Sequence, residues 1–285
     1  MDKVKRKMKR VSGIYLVLFF LLLFSHPVNV PFSYTSGEMK QSIKRFYNFY
    51  IHVTTLQDYY RYLEMDTPSF RLLMKRLKGK EKTYFLQMRP FLYELMKASQ
   101  KTGIPIAFLA SFVKRESQFN PKAVSNKGAY GLMGVTIQAY QDVVRLREKE
   151  KWIDDALKEY KNFSWDDVKT NPELNIVVGA IYYKFLLEIF ENTTLACLAY
   201  NWGMGNVHIM QGKYKNTRDI LDRLKELASF NSIWEEPAKY PDYILQFESV
   251  FQKINEKIKV VYATEQGLYQ QGFALSLPAK QTPSS

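Results

Sequence analysis

The 285-residue sequence predicts a mainly α fold, and three observations carry that expectation. Apolar residues recur at three- and four-residue spacing along the body, with no alternating run long enough to build a sheet. Helix start and stop signals (Asp66-Thr67-Pro68, Thr102-Gly103, Asn171-Pro172-Glu173) punctuate that pattern at helix-length intervals. Hydrophobic residues make up 46% and charged residues 24%, which supplies a large core and excludes a wholly disordered chain.

The first 35 residues address the chain rather than fold it. Six basic residues against one acidic residue lie between Asp2 and Arg10, and an uninterrupted apolar run, Gly13–Phe24, follows. A basic flank before an apolar run is the order of an export signal. The run is shorter than the roughly 20 residues that span a bilayer comfortably, as suits a signal peptide. Yet no A-x-A-like cleavage site follows, and Pro27 and Pro31 stand where one belongs. A cleaved signal and a retained N-terminal anchor, with residues 11–30 in the membrane, both stay open. The chain is expected to be exported, to the periplasm or cell envelope.

Helices are expected over 38–53 and 67–78, then over 82–101, ending at Thr102-Gly103. Pro105 opens another that runs to about Gln118 and stops before Asn120-Pro121. Residues 121–135, with Ser125, Asn126, Gly128, Gly131 and Gly134, read as loop. Helix returns over 137–160 and again over 173–190. A further helix around Ala196–Ala199 breaks at Asn201-Trp202-Gly203. Helices over 217–229 and 240–257 complete the body, and 276–285 read as a frayed tail.

Several chemistries drop out early. Cys197 is the only cysteine, so no intrachain disulfide and no cysteine-based zinc site is available, and its apolar neighbours mark it as a core thiol. His26, His52 and His208 lie far apart, and no HExxH, GxSxG, P-loop or GxGxxG is present. No metal and no cofactor is expected. The formal net charge of +13 suits a solvated Lys-rich surface or an anionic polymer. Nucleic acid is not expected as the partner of an exported chain.

Glu116 is the residue that periodicity singles out. It lies seven, four and three residues beyond Leu109, Phe112 and Val113, on the apolar stripe of the helix that Pro105 opens. Burial disfavours an ionised carboxylate, so its pKa is expected to rise, as a general acid near neutral pH requires. A glutamate at a helix end paired with Lys114 or Arg115 fits the same spacing, so helix geometry alone leaves both readings open.

Three blocks then follow in order. The first runs Glu116-Ser117-x-Phe119-Asn120-Pro121-x-Ala123-x-Ser125-x-x-Gly128-Ala129-x-Gly131-Leu132-Met133. The second is Asn171-Pro-Glu-Leu-Asn175-x-x-x-Gly179-x-x-Tyr182, and the third is Ala199-Tyr200-Asn201-Trp202-Gly203-x-Gly205-x-Val207. Together they resemble the lytic transglycosylases of the Slt type over roughly residues 86–215. Trp234-Glu-Glu-Pro and Tyr240-Pro-Asp-Tyr-Ile244 are similar to that family's closing helix.

The resemblance implies a lysozyme-like helical domain acting on peptidoglycan glycan strands, with Glu116 as sole catalytic acid/base. It implies substrate-binding roles for Ser117, Ser125, Met133, Tyr200 and Asn201, with Tyr200 close to the catalytic carboxyl. Gly134 and Trp202, at the same site, are taken as substrate-binding positions too, Trp202 as a stacking surface or a core residue. The expected organisation is an export segment or anchor (1–35), a helical lead-in (36–85), a catalytic domain (86–257) and a C-terminal extension (258–285). Packing on the catalytic domain and binding a cell-envelope protein partner both stay open for the lead-in. The chain departs from the family's pattern at Gly134, where glutamine is usual. Further departures are Ile137 and Ala139 for proline and threonine, Trp202 for alanine, and a longer segment between Gly134 and Asn171. A goose-type lysozyme and a degenerate peptidoglycan-binding protein are the competing readings.

Overall fold

The computed structural model describes Leu63 and residues 66–275, the side chains of Pro68 and of 265–275 aside. The expected export segment, the helix over 38–53 and the tail lie outside those residues. The described residues belong to one compact unit and are helix upon helix. Extended pairing among them is limited to the bridges Val124–Tyr130 and Tyr130–Val135. None of their helices is long and apolar enough to cross a membrane.

α1 (Pro68–Arg76) begins as the sequence predicts: the Thr67 hydroxyl accepts from the Phe70 amide at 3.1 Å, and Pro68 takes the first turn, where its missing N–H costs nothing. The helix expected over 82–101 is two, α2 (Lys80–Met88) and α3 (Leu92–Thr102), joined by a 3₁₀ turn, Arg89–Phe91. Pro90 has no amide to donate, so the α-helical ladder cannot pass through it. The expected boundary between lead-in and catalytic domain, at 85/86, falls inside α2.

α4 (Ile106–Glu116) buries every side chain from Ala107 to Val113 and ends at Glu116. The helix expected over 137–160 is likewise two, α5 (Ile137–Arg147) and α6 (Lys151–Leu157). The break falls in Arg147-Glu148-Lys149-Glu150-Lys151, a run with no apolar residue to bury. α7 (Trp165–Thr170) was not expected, although Ser164 and Asp167 form a reciprocal capping box at its start.

α8 (Pro172–Phe190) is capped by Asn171 and buried all round from Leu174 to Tyr183, with α3, α5, α7 and α9 packed around it. α9 (Thr193–Trp202) and α10 (Met204–Lys213) meet at Gly203, and α11 (Thr217–Phe230) leads through a 3₁₀ turn, Ser232–Trp234, into α12 (Glu235–Leu275). α12 exceeds the expected 240–257 at both ends and runs through 257/258, the expected start of the C-terminal extension. It packs along α4 and also against α1, α2, α9 and α11. Cys197 is fully buried, as expected, and burial pushes its thiol up to about 12.

The loop between α4 and α5 is fastened to α8 by one side chain. Asn175, 1% exposed, accepts from the Met133 amide at 2.9 Å and donates to the carbonyls of Tyr130 at 2.9 Å and Val168 at 3.0 Å. The loop comes close enough only because residue 131 is glycine: a Cβ there would stand 2.4 Å from the Asn175 amide nitrogen. Removing Asn175 takes the side-chain partner from the buried Met133 amide and Val168 carbonyl, while the Tyr130 carbonyl keeps its bond from the Val135 amide. Asn175→Ala should therefore cost about 2–4 kcal/mol in denaturant unfolding, against less than about 0.5 kcal/mol for exposed Asn126→Ala.

Candidate active site

The C-terminal end of α4 meets an aromatic floor. Phe112, one turn before Glu116 and fully buried, has its ring 4.7 Å from those of Tyr183 and Tyr200 and 6.3 Å from that of Tyr240. Glu116 thus leaves its helix over apolar surface, as its position on the stripe predicts. The residue keeps part of its surface open to solvent, while protein atoms crowd its carboxyl group. Oε1 accepts a hydrogen bond from the hydroxyl of Tyr240, a fully buried side chain of α12.

These surroundings decide the charge of Glu116. Desolvation is the largest influence and drives its pKa up. The Tyr240 hydrogen bond and the Arg115 charge draw it back, and Glu236 adds a smaller upward push, leaving it at about 7 against an ordinary 4.5. Burial first, and then the neighbouring Glu116, hold the phenols of Tyr240 and Tyr200 well above their usual range, so both remain neutral donors. The arrangement supports acid and base work by one group: Glu116 carries a proton near neutrality, and Tyr240 steadies the carboxylate that proton loss leaves.

Neither basic neighbour pairs with Glu116. Arg115 makes a forked contact with both carboxylate oxygens of Glu236 and lies over the Tyr243 ring at 4.8 Å. The Lys114 ammonium donates to Gln87 at 2.9 Å and sits 4.7 Å from the Tyr84 ring centre. The helix-end pairing that spacing left open is therefore not what the structure contains. Glu236 is a second carboxylate close enough to influence Glu116, and Arg115 holds it.

The wall opposite is the loop after α4. Ser117 is buried; its hydroxyl donates to the Val113 carbonyl at 2.9 Å and accepts from the Phe119 amide at 3.2 Å. Expected among substrate contacts, Ser117 instead closes the helix and turns the chain, which passes through positive φ at Gln118 (52°) and Phe119 (66°). Met133, expected to line a glycan groove, has no exposed surface. An apolar residue in a turn-rich loop packs inward when a helix is near, and α8 presents Gly179, where a Cβ would stand 2.5 Å from that of Met133. The backbone of Met133 acts instead, its carbonyl accepting from the Tyr200 hydroxyl at 2.8 Å. At Gly134, φ +59°, a Cβ would stand 2.5 Å from Glu116 Oε2.

The remaining expected positions lie nearer the surface. Ser125 is exposed, and its hydroxyl accepts from the amides of Lys127 and Ala129 at 3.3 and 3.0 Å, shaping the loop tip. Tyr200, Asn201 and Trp202 are partly exposed at the end of α9. The Trp202 ring meets that of Trp234 edge-on at 5.5 Å. Tyr240, Asn175, Glu236 and Trp234 were not singled out as site residues, although all four stand in quoted sequence blocks. Among the described residues no group of three or more His, Cys, Asp or Glu side chains is arranged to hold a metal ion.

Residues 95–222, which include α4, the loop and Tyr200, match the family model described as the Transglycosylase SLT domain. That stretch of the chain is similar to the transglycosylase SLT domain. The chain is 34% identical over 120 residues to the membrane-bound lytic murein transglycosylase C of Pectobacterium atrosepticum, covering 39% of this chain and 30% of that one. It is 25% identical over 167 residues to the soluble lytic murein transglycosylase of Escherichia coli K12, covering 58% and 23%. The chain thus spans less than a third of the length of these relatives. The crystal structure of the 70 kDa soluble lytic transglycosylase of Escherichia coli aligns with 69% of this chain and 30% of its own, at a TM-score of 0.46 and 20% identity. Tyr240 and Glu236 lie beyond the matched SLT segment, so the carboxyl is completed by a part of the chain that the family model does not reach.

A buried acid with a raised pKa weakens the fold once its unfolded form can ionise. The unfolded carboxyl ionises around 4.5 and the folded one around 7, so stability falls across that window and the deficit levels off above it. Glu116→Gln keeps an oxygen for Tyr240 and cannot ionise. It should be about 1–3 kcal/mol more stable than wild type at pH 8, with the difference vanishing near pH 4, as read by thermal unfolding across pH.

Proposed function

We propose that this protein is an exported peptidoglycan lytic transglycosylase working with Glu116 as its single acid/base. The observation that carries the reading is the environment of Glu116 inside a stretch similar to the SLT domain: desolvated over Phe112, protonated near neutral pH, and hydrogen-bonded by Tyr240. Relatives named lytic murein transglycosylases, membrane-bound and soluble, support the substrate class and an envelope location.

In this reading Glu116 gives its proton to the β-1,4 glycosidic oxygen between N-acetylmuramic acid and N-acetylglucosamine, and the bond to the muramic C1 breaks. The muramoyl N-acetyl group steadies the oxocarbenium-like centre. The carboxylate, steadied by Tyr240, then takes the proton of the C6 hydroxyl on the same sugar. The C6 oxygen closes on C1, giving the 1,6-anhydro ring and regenerating the acid, with no water consumed. Ser125, Asn201 and Trp202, which keep exposed surface around this end of the fold, are proposed as glycan contacts. A goose-type hydrolase, in which a second acidic group positions water, is disfavoured because Glu236 is committed to Arg115.

Digestion of purified sacculi by the full chain in detergent, with Glu116→Gln alongside, tests the assignment. Mass spectrometry of the released muropeptides should show products one water lighter than hydrolytic ones, reduced at least about a thousandfold in the variant. Reducing-end products would move the reading to a lysozyme. Binding of sacculi without release would move it to a degenerate binding protein.

A further inference from the structure

The two oxygens of the Glu116 carboxyl have different neighbours. Oε1 accepts from Tyr240. Oε2 faces the bare Cα of Gly134, where a Cβ would stand 2.5 Å from Oε2 and 3.1 Å from both Cβ and Cδ of Glu116. The first distance is shorter than real carbon contacts allow. The carboxyl could meet that contact only by rotating away, and the 3.1 Å contact with Glu116 Cβ, which is fixed to the backbone of α4, is tighter than most real carbon contacts.

The loop cannot retreat either. On one side of Gly134, the Met133 amide is held by Asn175 at 2.9 Å and its carbonyl by Tyr200 at 2.8 Å. On the other, Val135 and Tyr130 exchange two backbone hydrogen bonds at 2.9 and 2.8 Å, and the Gly134 amide itself donates to the Gly131 carbonyl at 3.2 Å. Residues 131–133 and 135 are buried, whereas Gly134 and Glu116 both keep some surface. Of residues 131–135, the one that keeps surface beside Glu116 is thus the one with no side chain.

We propose that Gly134 is the positioning residue of the acid, its missing side chain providing the volume that Oε2 occupies and the opening through which a glycosidic oxygen reaches it. This rests on Glu116 being the acid/base. With Oε1 accepting from Tyr240, the transferable proton sits on Oε2, on the glycine's side. The consequence runs against the sequence pattern. The glutamine usual at this position in the related motif is not a lost asset here, because a side chain would displace the carboxyl.

Gly134→Ala and Gly134→Gln test this, with Gly128→Gln as control. Gly128 lies in the same loop at φ +72°, and a Cβ there meets nothing within 4 Å, so it imposes the same backbone strain without touching Glu116. Gly134→Asn, whose side chain tolerates left-handed backbone, carries the same Cβ if the alanine variant fails to fold. On sacculi, the Gly134 variants should lose kcat by about tenfold or more. The alkaline limb of their pH profile should move to lower pH as the carboxyl is pushed toward water, while Gly128→Gln stays within about twofold of wild type. The carbon-13 titration midpoint of the Glu116 carboxyl, which needs no turnover, should fall in the Gly134 variants alone.

A Gly134→Gln protein as active as wild type or more so, or an unmoved Glu116 midpoint, overturns the proposal. Activity gained by Gly134→Gln over an inactive wild type would overturn it while leaving Glu116 as the acid. If every protein is inactive, the reading under Proposed function fails, and the titration alone decides whether Gly134 positions the carboxyl.

Discussion

A carboxyl group at the exposed end of a helix ordinarily ionises in water, and Glu116 is denied most of that water by elements distant in sequence. α4 delivers it over Phe112, α9 contributes Tyr200, and α12 brings Tyr240 to Oε1 from 124 residues away. The long packing of α12 along α4 therefore sets the chemistry as well as the fold. Were α12 to draw back, the carboxyl would lose its hydrogen bond and regain solvent together, and these changes move its pKa in opposite directions. Burial outweighs the hydrogen bond in the intact site.

The same economy governs the loop facing the acid. Its backbone is tied to α8 through Asn175 and to α9 through Tyr200, and its apolar side chains Leu132, Met133 and Val135 go inward. What is left at the surface beside Glu116 is main chain. Arg115 and Glu236 neutralise one another at the rim, so neither imposes a full charge on the site. The result is a nearly uncharged rim around one protonated acid, a setting in which charge developing beside it would be felt strongly.

How much of this was legible in the sequence depended on range. Glu116 stood out because its position on the Leu109-Phe112-Val113 stripe is a matter of local helix geometry, and the Asn171-Pro172 start of α8 is equally local. Tyr240 was quoted within a closing-helix motif, yet nothing local says that its hydroxyl reaches a helix 124 residues earlier. Met133 shows the converse limit, since a turn-rich loop has no periodicity to tell an inward side chain from a groove-lining one. Ser117 carried two local hydrogen bonds that its place after a helix end permits and sequence cannot rank against a substrate contact. The breaks at Pro90 and in the charged run 147–151 had visible causes. α7 is a single short helix announced only by its capping box.

The raised pKa of Glu116 is the claim on which the catalytic account stands, and a direct titration reaches it without assuming any substrate. Carbon-13 labelling of glutamate side chains, with Glu116→Gln to assign the resonance, would follow that one carboxyl from pH 3 to pH 9. The account predicts a midpoint at about 7. A midpoint at the ordinary 4.5 would mean that the group is solvated and ionised at neutrality, and Glu116 would then lack the proton that the proposed reaction requires.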